Sequence, residues 1–146
     1  MRLIMLLAVM VGLYSFTDWG NDMEKAQVKA KQENKLILLN FSGSDWCAPC
    51  IRLKKQVFAD ETFKKFADEK LVLVNADFPR GKKFQLPKDR QEHNNKLAEK
   101  YNSEGDFPLT LLLSADGKVL KKWAGLPEGD AASFVAQLNQ ACLAAH

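Results

Sequence analysis

Two short apolar runs constrain the fold of this chain more than any other feature. KLILLNF at residues 35–41 and LVLVNAD at 71–77 are continuous rather than alternating, and polar residues bound them. That is the pattern of strands buried on both faces. Between them the apolar residues take helical spacing: Cys47 opens a helix carrying Ile51, Leu53, Val57 and Phe58, and Asp60 caps a further turn through Phe63 and Phe66. Strands joined through a helix run parallel by a right-handed crossover. Downstream, Leu109–Leu113 and Val119–Ala124 flank the turn ADGK, and Asp-Gly between apolar runs predicts an antiparallel hairpin.

Helical patterns fill the remainder. Trp19, Met23, Ala26 and Ala30 share one face of a helix expected over residues 18–34, with Asn21 or Asp22 as its cap. A polar loop with Pro79, Gly81 and Pro87 spans 78–90, and a helix with Leu97, Ala98 and Tyr101 on one face follows to Tyr101. The last helix starts near Gly129 or Asp130 and presents Phe134, Val135, Leu138 and Cys142. The economical architecture is α/β, a four-stranded mixed sheet flanked by helices on both faces.

A chain of 146 residues is one domain's worth. Its first residues, MRLIMLLAVMVGLYSFTDWG, set a single Arg2 before an apolar run from Leu3 to Leu13, too short to span a bilayer but of signal-peptide length. Residues 1–15 are therefore expected to be a signal peptide and 16–146 a single exported domain, with an uncleaved anchor or a structural first helix as the alternative. The net charge of +3 is too balanced for a nucleic-acid partner. One basic stretch, RGKKFQLPKDR at 80–90, suits a solvated loop or an anionic partner equally.

Cys47 and Cys50 stand where a buried strand passes into a helix. Free N–H groups and the positive end of the helix dipole stabilise an anion at the first turn, so Cys47 should ionise more readily than a free thiol and attack disulfides. Cys50, one turn on, should point inward and resolve a mixed disulfide. Pro49 fits the first turn, where a missing N–H costs little, and Trp46 should cover one side of the sulfurs. Two other readings stay open. The pair could be half a zinc site, but only Cys142, His93 and His146 could complete it. It could also be a structural disulfide, although so short a loop gains least from closure. Cys142 reads as a packed free thiol and His93 as a helix-edge residue without a role.

WCAPC at a strand-to-helix junction, with DFP before a later buried strand, resembles the thioredoxin superfamily over about residues 18–145. The resemblance implies the thioredoxin fold, with Cys47 as nucleophile and Cys50 as resolving cysteine. It implies a docking surface of Trp46, Ala48, Pro49, Phe107 and Pro108, a cis Phe107-Pro108 bond, and pairing of the Phe107 backbone with an extended substrate. No metal or dissociable cofactor is required, because electrons travel in the Cys47–Cys50 disulfide. The implied protein is an exported, periplasmic bacterial monomer acting on disulfide-bearing proteins. As a reductant, favoured by the likeness of Ala48-Pro49 to the Gly-Pro of reducing thioredoxins, it would need a membrane electron donor. An isomerase, an oxidase and a non-catalytic binding or chaperone module are the alternatives. Thioredoxins keep a buried aspartate and a neighbouring lysine where this chain has Asn40 and Leu73, with Asp45 as the nearby carboxylate that could substitute.

Overall fold

The computed structural model describes residues 18–145; the expected signal peptide lies outside them. In chain order the elements are α1 (Met23–Glu33), β1 (Leu36–Ser42), α2 (Ala48–Leu53), a π-helical turn (Lys54–Phe58), α3 (Glu61–Lys70), β2 (Leu71–Asp77), a 3-10 turn (Lys82–Phe84), α4 (Lys88–Tyr101), β3 (Leu109–Leu113), β4 (Val119–Ala124) and α5 (Ala131–Ala144).

The strands form one mixed sheet in the order β2-β1-β3-β4. β1 runs parallel to β2 and antiparallel to β3, and β3 and β4 form the hairpin. Alternation along the strands sorts the core into two layers. Leu38, Leu73 and Leu112 face Leu53, Phe63, Phe134 and Leu138, so α2, α3 and α5 cover one side. Ile37, Leu39, Val74, Leu111 and Leu113 face Met23, Ala26, Ala30 and Leu97, which places α1 and α4 on the other. Each fully buried Leu, Ile or Phe stabilises the fold by about 1.5–3 kcal/mol relative to exposure.

Helix starts follow the capping chemistry. Asp22, Asp60 and Asp130 accept bonds from the N–H groups of Lys25, Thr62 and Ser133 at 3.0, 2.8 and 2.9 Å. Three expectations need correction. The first helix begins at Met23. Trp19 instead lies in an extended segment whose Gly20 pairs with Val74 along the outer edge of β2, and its ring packs on Phe58 and Phe63. Edge pairing and aromatic burial outweigh helical extension there. Ile51 is exposed rather than core, because Cys50 and Leu53 take the sheet-facing side of α2 and the next residue after Cys50 is turned about 100° away from it. The loop after β2 ends sooner than expected, with α4 starting at Lys88.

Candidate active site

The C-terminal ends of the parallel strands β1 and β2 carry the site. Beyond Ser42 the chain turns sharply: the N–H groups of Trp46 and Cys47 both donate to the carbonyl of Gly43, at 3.3 and 2.9 Å. A β-carbon on Gly43 would overlap the Trp46 indole at Cε2. Only glycine lets the indole fold back over the turn. The ring is fixed from three sides. Its Nε1 donates to the Phe78 carbonyl at 2.8 Å, its edge meets Phe107 with ring centroids 5.4 Å apart, and the Arg80 guanidinium lies 3.7 Å from its centroid.

Cys47 is the N-cap of α2, with extended backbone (φ −93°, ψ 98°), and Pro49 occupies the first turn. Its Sγ accepts the N–H of Cys50 at 3.3 Å, so a helix-terminal donor already points at this sulfur. An anion there would be favoured by that N–H and the helix dipole. Cys47 and Cys50 are joined as a disulfide. They are equally buried, at 4% and 5% exposure, so the expected contrast between an open and a hidden cysteine does not appear in this oxidised form. The covalent bond places both sulfurs in one environment. Ala48 is exposed and Pro49 half-buried beside them.

The Phe107-Pro108 bond is cis. Pro108 is buried at the start of β3, where its carbonyl accepts the Gly125 N–H at 2.8 Å. Phe107 is half-buried against both Trp46 and Phe78. Trp46, Ala48, Pro49, Phe107 and Pro108 therefore border one end of the sheet, with the indole turned toward Phe107.

Beneath the cysteines a polar row crosses the sheet. Asn40 sits opposite Asn75 on one side and Thr110 on the other, and alternation places all three on the face covered by α2. Asn40 donates to Asn75 Oδ1 at 3.0 Å and accepts from the Thr110 hydroxyl at 3.1 Å. The row continues outward: the Ser42 hydroxyl lies 3.1 Å from Asn75 Oδ1 and 3.2 Å from Asp77 Oδ1, and the Asp77 carboxylate accepts both the N–H and the hydroxyl of Ser44. The position of the family's buried aspartate thus holds a neutral amide with both ends engaged. It can take no proton. Leu73, where the lysine would stand, is buried core.

Asp45 does not substitute for the missing carboxylate. It accepts the N–H groups of Arg80 at 2.9 Å and Gly81 at 2.6 Å, and these bonds hold its pKa below the ordinary carboxylate value. A β-carbon on Gly81 would come within 2.8 Å of that carboxylate. Asp45 anchors the loop after β2, just as Asp77 at the end of β2 grips the loop after β1.

His93 is not idle. Its Nε2 accepts the Met23 N–H at 3.1 Å, which requires the Nδ1–H tautomer and makes Nδ1 the donor to Asn94 Oδ1 at 3.0 Å. Asn94 in turn donates to the Asp77 carbonyl, tying α1 and α4 to the site end of β2. Cys142 lies in the α5 core layer, and burial pushes its thiol pKa up. The roles of Gly43, Asn75, Asp77, Phe78, Arg80 and Thr110 escaped the sequence reading. One signal was available: both parallel strands, LILLNFS and LVLVNAD, carry asparagine in fifth place.

The thioredoxin-like family model matches residues 18–115. Disulfide bond reductase DsbH of Chlamydia pneumoniae is 36% identical over 112 residues, covering 77% of this chain and 65% of that protein. Thioredoxin-related protein DsbJ of the same organism is 32% identical over 66% of this chain and 27% of its own length. This chain therefore spans less than two thirds of either protein. A solved DsbH oxidoreductase superimposes with a TM-score of 0.79 at 31% identity, covering 88% of this chain and 85% of that one.

Proposed function

We propose that this chain, which belongs to the thioredoxin-like family, exchanges its Cys47–Cys50 dithiol with disulfides of extracytoplasmic proteins and acts as a reductant. The observation that carries the reading is the Cys47–Cys50 disulfide at the N-terminus of α2, with the Cys50 N–H donating to Cys47 Sγ. The name of the DsbH relative, a disulfide bond reductase, supports the direction.

In the reduced form the Cys47 thiolate attacks one sulfur of the substrate disulfide, forming a mixed disulfide and expelling a substrate thiolate that takes a proton from water. Cys50 then loses its proton and attacks Cys47 Sγ. The second substrate thiol leaves, the substrate has gained two electrons and two protons, and Cys47–Cys50 is again oxidised. Asn40 offers no basic site for the Cys50 proton, so that proton passes to solvent or to the departing substrate thiolate. Phe107 and Pro108, with Trp46, Ala48 and Pro49, form the ledge along which an extended substrate lies. A dithiol donor in the membrane restores the reduced form. Residues 1–15 direct export to the periplasm, and residues 16–146 act there as a monomer.

Trapping tests this directly. With Cys50→Ala, a disulfide-bonded peptide should accumulate as a covalent adduct on Cys47, visible by mass; with Cys47→Ala no adduct should form. Absence of adduct and of peptide reduction by the reduced wild type would overturn the reading in favour of a non-catalytic binding module.

A further inference from the structure

The segment after β2 is locked to the active-site turn, and it carries charge that the exchange reaction does not use. Between residues 78 and 90 five basic residues, Arg80, Lys82, Lys83, Lys88 and Arg90, stand against the single acidic Asp89. Arg90 is turned away, bonded to the Asn21 carbonyl and paired with Asp22. Among the described residues, Arg80, Lys82, Lys83 and Lys88 take part in no ion pair.

This segment is held beside the cysteines. Asp45, two residues before Cys47, binds the N–H groups of Arg80 and Gly81, while Trp46 binds the Phe78 carbonyl and lies under the Arg80 guanidinium. Asp45 accepts those backbone donors and keeps its negative charge beside Arg80, while Lys82 and Lys83 pair with no carboxylate among the described residues. Close packing at Gly81 brings the Phe84 ring to the same place, since a β-carbon there would sit 2.9 Å from it. Yet Phe84 is 51% exposed, with the Lys83 ammonium 5.1 Å from its ring centroid. A large apolar side chain held open among unpaired cations suits an occupant with apolar and negative groups together.

We propose that Arg80, Lys82, Lys83 and Phe84 form a docking ledge continuous with the Trp46–Phe107 surface, and that its occupant is an acidic segment, bearing an apolar residue, that flanks the disulfide of the protein being reduced. The proposal rests on the exchange function for its setting, and it adds the substrate class. Rim charges of this kind set association and partner choice more than tight affinity, and their effect is screened by salt.

Binding separates this claim from the redox one. The probe is a fluorescent peptide with serine in place of cysteine and flanking Asp, Glu and Leu, compared by anisotropy with a twin carrying Gln for each acid. The full, oxidised chain should bind the acidic peptide about tenfold more tightly at low salt, and the preference should shrink by 0.3 M salt. Lys82→Glu with Lys83→Glu should abolish or invert it. Equal affinity for the two peptides, or a preference untouched by the lysine variant with circular dichroism unchanged, overturns the ledge. The salt series on wild type decides the matter should the variant not fold. Since no thiol takes part, loss of the peptide preference and loss of disulfide reduction are read separately.

Discussion

The N-terminus of α2 and the last turns of α5 hold the same residue type in opposite chemical settings. Cys47 caps its helix and accepts an N–H on its sulfur, and its helix covers the sheet face that carries the polar row of Asn40, Asn75 and Thr110. Cys142 is buried among Phe134, Leu138 and neighbouring apolar groups, where desolvation disfavours the thiolate and pushes the pKa up. Both are less than a tenth exposed. Burial by itself therefore does not decide cysteine reactivity; what the sulfur meets in its buried site does.

The sharpest way to break the contrast is to exchange one cysteine at a time. Cys47→Ala should remove at least about 1000-fold of the disulfide-reducing rate, whereas Cys142→Ala should leave that rate within about twofold and cost on the order of 1 kcal/mol in thermal unfolding. In the reduced protein, alkylation followed by mass should mark Cys47 at least about 100-fold faster than Cys142 at neutral pH. Equal rates would end the comparison.

A smaller effect comes from the turn that presents Cys47. Gly43→Ala places a methyl in the space of the Trp46 indole, so the ring must leave its bond to Phe78 and its contact with Phe107. The expected cost is about 1–3 kcal/mol of stability, together with about a tenfold fall in kcat/KM on a peptide disulfide. Full activity with unchanged melting would show that the indole position does not matter.

The smallest effect is the Asp45 anchor. Its folded pKa lies below the ordinary 3.8, chiefly through the Arg80 and Gly81 N–H bonds, so its contribution is present above 3.8 and fades as pH falls through the lower folded value. Asp45→Asn should therefore be less stable than wild type at pH 6, and the gap should close in strong acid. Melting curves across pH check the sign; a gap that widens in acid contradicts it.

Much of this was legible beforehand because burial and capping write locally. The runs 35–41 and 71–77 became β1 and β2 with β1 displaced by one residue, the hairpin stands where Asp-Gly predicted it, Asp60 caps as expected, Asp22 is the cap of the two candidates Asn21 and Asp22, and the last helix starts beside Asp130, which caps it. WCAPC and DFP likewise named the two segments that meet through Trp46 and Phe107. What stayed hidden depends on register and loop closure. That Asn75 and Thr110 flank Asn40 follows from pairing across three strands distant in sequence. That Asp45 and Asp77 grip one another's loops needs two strand ends brought side by side. Trp19 had helical spacing yet lies in the extended stretch whose Gly20 bridges to the outer edge of β2, because period alone does not register an available sheet edge.

The most direct test of the account is the reduction potential of the Cys47–Cys50 pair, measured by equilibrating the protein with graded thiol buffers and counting free thiols by alkylation. A reductant requires a value near the thioredoxin range of about −270 mV. A value near about −120 mV would make the chain an oxidant and contradict the direction proposed, and a pair that never exchanged would contradict the enzyme itself.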